Sequence, residues 1–228
     1  MCIALKCLPR RDVLLPVRFD FQVMWGRKRL TTDEVGRMFV HATLDSVEDG
    51  WPQISALVRE SPEFSSPPKI DDDAFGPFLL VVVAGNLDFI REHFDIGYQR
   101  GIVEAITRHL AEMIESDPAD IAQRITEVRK TMARLNRPSK KTTSAMARGI
   151  FTLYQLNDFQ TPYFASLNVP NPLFLKRIDE MMTHFLWDWT AFNKQYKVRK
   201  DGAAISAPSS RLASAPSAPQ IRSTAAAV

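Results

Sequence analysis

Apolar positions along this chain follow two periods. Val17, Phe19, Phe21, Val23 and Trp25 alternate with Arg18, Asp20, Gln22 and Met24. A period of two with aromatic and β-branched enrichment predicts a half-buried strand. Ile3–Leu8 is placed to pair with it across the Pro9–Asp12 turn, giving an N-terminal β-hairpin. Helical spacing then takes over. Thr31 followed by Glu34 is a capping box, in which hydroxyl and carboxylate each satisfy a free backbone N–H. It predicts a helix to about Val47. Pro52 suits the first turn of a second, short helix ending near Glu60. Residues 61–73 hold three prolines and three consecutive aspartates and read as a loop.

The run Phe78–Ala84 is apolar throughout, and periodicity alone does not separate a buried strand from a buried helix there. Helix-like spacing continues through Leu87, Ile90 and Phe94, which favours a helix over Pro77–Phe94. Four further helices follow, over Ile96–Glu115, Pro118–Asn136, Thr142–Asn157 and Asn171–Lys197. The seam Ile121, Ile125, Val128, Met132 and Leu135 is a single apolar stripe. Such stripes must bury one another, so the expected fold is mainly α: a helical bundle of about six or seven helices with a short N-terminal hairpin. From Val198 onward Ala, Ser and Pro dominate, and Ile205, Leu212, Ile221 and Val228 are the large apolar residues. That content does not repay ordering entropy, which predicts a disordered basic tail. The expected organisation is therefore 1–30, 31–197 and 198–228.

Charge changes the picture more than composition does. The 228 residues carry a net charge of +3, and the 45% hydrophobic fraction is that of an ordinary globular protein. The charge is unevenly spread, however: Lys and Arg predominate in residues 1–30 and 124–228, Asp and Glu in residues 31–123. This asymmetry implies either a partner-binding face or pairing between the acidic middle and the basic C-terminal half. The longest apolar stretch, Ala74–Leu87, falls short of the roughly 20 residues of a membrane span. Cys2 and Cys7 form neither a disulfide framework nor a zinc spacing, which points to reduced thiols and a cytoplasmic location.

The densest basic run is Arg124, Arg129, Lys130, Arg134, Arg137, Lys140, Lys141 and Arg148, with Glu127 as its one carboxylate. Cations on a helix and its following loop suit phosphates or another anionic surface. Base-reading or stacking groups are absent from the run, and neutralisation by the acidic middle is the plainer account. Trp187 falls, on a helical wheel, away from the Phe185 and Trp189 seam, which marks it either for a protein interface or for a last helix buried on two sides. The ridge Gly97, Gly101 and Ala105 predicts close approach of one neighbouring helix.

His41, His93, His109 and His184 each have carboxylates nearby, but surface pairing explains them and no metal site is expected. Asp71–Asp73 lacks the spacing of a calcium loop. Glycine phosphate loops, nucleophile elbows and Cys–His pairings are missing, so no catalytic residue and no cofactor is nominated. His109 with Glu104 and Glu112 is the nearest approach to an acid–base cluster. The sequence thus favours a non-enzymatic interaction or accessory protein that binds another protein through its basic C-terminal half. Nucleic acid or an anionic surface bound by residues 124–148 is the alternative, and an enzyme with an unrecognised site the second. Oligomeric state is left open.

Overall fold

A computed structural model describes residues 27–136 and 140–199. The expected hairpin, both cysteines, Arg137 and the chain from residue 200 onward lie outside the described residues. Within them the fold is mainly α, with six α-helices of eleven residues or more and two shorter ones.

The first helix, α1, runs unbroken over Thr32–Arg59 from the expected capping box: Thr31 Oγ1 accepts from the Glu34 N–H, and the Thr31 N–H donates to Glu34. The break expected between Val47 and Pro52 does not occur. Pro52 removes one helical hydrogen bond, but Val47, Trp51, Ile54 and Val58 are all buried on one stripe across it. Continuous burial at spacings of four and three outweighs the local cost of the proline. Gly50 serves the same stretch differently: a Cβ there would lie 2.5 Å from Cζ of Phe185.

The run with ambiguous periodicity is helical, as favoured. Helix α2 spans Gly76–His93, and every residue from Val81 to Leu87 is buried. It is the central helix, packed by α1, by α4 (Pro118–Leu135), by α5 (Thr142–Leu153) and by the short α8 (Trp189–Gln195). A helix covered all round needs no polar stripe, which is why its periodicity is weak.

Helix α3, Ile96–Met113, lies along α1. The expected small-residue ridge makes this contact at two of its three positions. A Cβ on Gly36 would lie 2.5 Å from the Ala105 Cβ, and one on Gly101 would lie 3.1 Å from Thr32 Oγ1. Gly97 is exposed.

The long helix expected over Asn171–Lys197 is a correction. The chain there forms α7 (Pro172–Met182), a 3-10 turn at Thr183–Phe185, an extended step, then α8 and a strand. The residue responsible is Asn86, 1% exposed in the middle of α2. Its Nδ2 donates to the carbonyls of Val82 and Phe185, at 2.9 and 2.8 Å, and its Oδ1 accepts from the Trp187 N–H at 2.7 Å. A broken helix leaves such backbone groups without partners, and a buried carboxamide satisfies them.

The strand that follows, β2 (Tyr196–Arg199), pairs in parallel with β1 (Lys28–Thr31), with Leu30 opposite Val198 and Arg29 opposite Lys197. This strand reaches Arg199, two residues past the Lys197 end of the expected helix. Parallel pairing requires a crossover, and here the crossover is the whole helical bundle.

Replacing Asn86 with Leu leaves the Phe185 carbonyl and the Trp187 N–H without partners in the core. The expected loss is about 3 kcal/mol in urea unfolding, with red-shifted tryptophan emission. A loss below about 1 kcal/mol would show that the break is held by other means.

Candidate functional site

The basic run does not form one continuous free surface. Arg129 donates to Asp88 Oδ1 from both Nε and Nη2, at 3.2 and 2.7 Å. Lys141 reaches Asp179 at 2.7 Å, and the Arg148 guanidinium donates to the Leu135 carbonyl. These three hold α4, α5 and their neighbours together. Lys130, Arg134 and Lys140 are exposed and Arg124 is half-buried. Among the described residues none of these four takes part in an ion pair. Pairing between the basic half and the acidic middle does occur, through Arg129 with Asp88 and Arg177 with Glu63.

Burial pushes the Asp179 carboxyl up, but hydrogen bonds from Lys141, Thr143 and Ser144 outweigh it and hold the group below the usual aspartate value. Asp33 behaves alike: desolvation raises it, while His109, Arg108 and Arg37 bring it down.

His109, the nearest approach to an acid–base centre, is part of a clamp between two helices. His109 Nε2 lies 2.8 Å from Asp33 Oδ1 on α1, and its Nδ1 lies 3.1 Å from Glu112 Oε2. Arg108 pairs with the same Asp33 carboxylate. Glu104 is paired with Arg100 instead. The two carboxylates sit on opposite nitrogens of the ring, so they do not converge on one point where an ion or a reacting atom would sit. Among the described residues no group of three such side chains is placed to hold a metal.

Trp187 is not on a helix, so the helical-wheel basis for its exposure does not apply. It occupies the extended step before α8, half-buried, with ring centroids 5.6 Å from both Phe39 and Trp189. Among the described residues neither its indole N–H nor that of Trp189, both buried, finds an acceptor.

The prominent surface feature lies where the sequence nominated no residue. Helix α6 (Pro162–Leu167) projects between the 3-10 turn Leu156–Phe159 and α7, and it has no buried residue. Tyr163 and Leu167, four apart on α6, are 68% and 54% exposed; Val169 and Leu173 beyond it are 46% and 64% exposed. Residues 161–175 contain no charged side chain.

The projection is nonetheless firmly held. Gln160, 4% exposed at its base, donates from Nε2 to the Val169 carbonyl at 2.9 Å and accepts at Oε1 from the Asn171 N–H at 2.7 Å. Asn168 takes a left-handed conformation, φ 51°, to turn the chain back. Beneath it, Phe174 is fully buried against Phe64 and Phe151. The uncharged run was visible in the sequence, but periodicity does not say which of its apolar residues face water.

Neither the protein-family models, nor the curated proteins, nor the solved structures contain a match to this chain.

Asp33 and Asp179 both titrate below the ordinary aspartate value of 3.8 when folded. A depressed folded pKa gives stability that is complete above the unfolded pKa and is lost as pH falls through the folded one. The stability these two carboxylates contribute should therefore be constant above about pH 5 and fall away below about pH 4, read as a drop in the urea midpoint. Asp179→Asn should flatten that acid limb, and an unchanged limb would remove Asp179 from the account.

Proposed function

We propose that this protein is a non-enzymatic interaction module that binds another protein through its basic C-terminal half, with the α6 projection as the contact centre. The observation that carries the reading is the exposure of Tyr163, Leu167, Val169 and Leu173 on a segment pinned at its base by Gln160. Scattered apolar residues on a surface are ordinary, but a run of them without intervening charge is a feature of binding sites. Interfaces concentrate their energy in a few apolar and aromatic anchors from which charged residues are depleted. A pre-organised projection also lowers the ordering entropy lost on association.

Charge complementarity defines the partner's chemistry. The first charged residue after the uncharged run is Lys176, exposed one turn beyond Leu173. The last charged residue before the run is Asp158, exposed on the 3-10 turn, while Glu63 is already paired with Arg177. The matching partner surface presents an apolar stripe to α6, with a carboxylate facing Lys176 and a cation facing Asp158 at its edges. Complementary charge at such a rim mainly changes association rate and specificity, whereas the apolar centre sets the dissociation rate.

Leu167→Asp combined with Leu173→Asp tests this. Both side chains are exposed, so stability should shift by less than about 0.5 kcal/mol. Capture of a defined protein partner by the purified full chain should fall at least tenfold, measured by surface plasmon resonance once that partner is isolated. Equal binding by the wild-type and doubly substituted proteins would overturn the reading.

A further inference from the structure

The partner that the α6 surface calls for has three properties. It offers apolar side chains to Tyr163, Leu167, Val169 and Leu173, a cation to Asp158 and a carboxylate to Lys176. Asp158 and Lys176 are both exposed, and among the described residues neither takes part in an ion pair. An apolar centre with one carboxylate and one ammonium beside it is also what the α6 surface itself presents.

Two-fold association makes a further demand. Around a two-fold axis a patch meets itself, so a contact from one residue to a second is repeated from the second to the first. A charge close to the axis then faces its own copy, and like charges brought together across an interface are costly. Residues 161–175 carry no charged side chain, so an axis through this run brings no like charges together. The charges that flank it, Asp158 before and Lys176 after, are opposite in sign. A strongly acidic or strongly basic partner would set one of them against its like. The whole chain, at a net +3 over 228 residues, offers little long-range repulsion between copies.

We infer that two copies of this chain associate reversibly through α6 about a two-fold axis, with Lys176 of each meeting Asp158 of the other. This rests on the interaction reading above and names its partner. The projection is rigid enough for the role. Gln160 fixes its base, and the Tyr163 ring stands edge-on to Phe164, with centroids 5.1 Å apart and planes at 80°. Rigid surfaces lose little ordering entropy on pairing.

Area sets the strength of the contact. At 46% to 68% exposure the four apolar side chains present on the order of 400 Å². Two copies then cover roughly 1,000 Å² once a polar rim is included, which is the low end for a specific interface. The dimer is accordingly weak, with a dissociation constant of about 10–100 μM.

Sedimentation equilibrium of the full chain, from about 5 to 500 μM, reads the association directly. Leu167→Asp with Leu173→Asp should leave a monomer throughout. Asp158→Lys alone and Lys176→Asp alone each set like charges together in two places, and each should weaken association at least fivefold. The two changes in one chain should restore it to within about threefold of wild type. An equimolar mixture of the two single variants should also associate, because each supplies the sign that the other lacks. Zero-length carbodiimide coupling of mixed light and isotopically heavy wild type should join Asp158 of a light copy to Lys176 of a heavy one, and the reverse. Thermal melts of each variant separate lost association from lost folding.

A dimer untouched by the Leu167 and Leu173 variant, equal association by wild type and the single charge variants, or no recovery in the combined charge variant would each overturn the inference. So would a wild-type chain that stays monomeric at about 500 μM. If that monomer captured a different protein through Leu167 and Leu173, the second copy would be the wrong partner and the interaction reading would stand.

Discussion

The carboxamide of Asn86 is the contact on which the arrangement of this molecule turns. It sits near the middle of the central helix α2, fully buried, and each of its polar atoms is engaged. Two of its bonds reach backbone groups about one hundred residues later in the chain. A polar group in a packed core is costly unless satisfied, and here satisfaction is possible only if the later segment is broken and docked. The consequence is local and then general. Phe185 enters the space left open by Gly50, and Trp189 stacks on Phe39 with its ring centroid 5.6 Å away. The chain then has the direction it needs to run alongside β1.

That docking joins both ends of the described body. The parallel β1–β2 pair places Leu30 and Val198 over the bundle and turns Arg29, Lys197 and Arg199 outward. The exposed cations of this strand pair therefore depend on the same clamp that shapes the core, while the α6 projection depends on a different one. Gln160 closes the projection at its base, and Phe174 buries beneath it. The two surfaces are built by independent buried amides, so a change to one need not disturb the other.

Much of the helical body was legible in the chain itself. The capping box at Thr31, the stripe from Ile121 to Met132 and the proline starts of α4 and α7 are local signals, and each marks a real element. The errors came where tertiary contact overrode local preference. Pro52 reads as a boundary because the buried stripe that carries α1 through it is not a local property. The step at 186–188 reads as helix because its cause, Asn86, lies in a distant element. Gly101 and Ala105 were recognisable as a contact ridge, since small residues at helical spacing constrain their neighbour directly.

The surfaces were less legible. The eight cations of residues 124–148 stand out as a run, yet Arg129 and Lys141 are spent on Asp88 and Asp179. The exposed cations Arg29, Lys197 and Arg199 come from opposite ends of the described chain, and only the fold brings them together. Trp187 and Tyr163 illustrate the same limit from opposite sides. The first looked exposed and packs on Phe39, whereas the second lies in an uncharged run and faces water.

Amide hydrogen exchange at Trp187 tests the central claim most directly. Its N–H donates to a buried acceptor in an otherwise irregular stretch of chain. If Asn86 holds that stretch to the core, the Trp187 amide should exchange only through global unfolding, at the rate of the slowest amides of α2. Exchange at the rate of an open surface loop would contradict the account, because the C-terminal segment would then dock by some other contact.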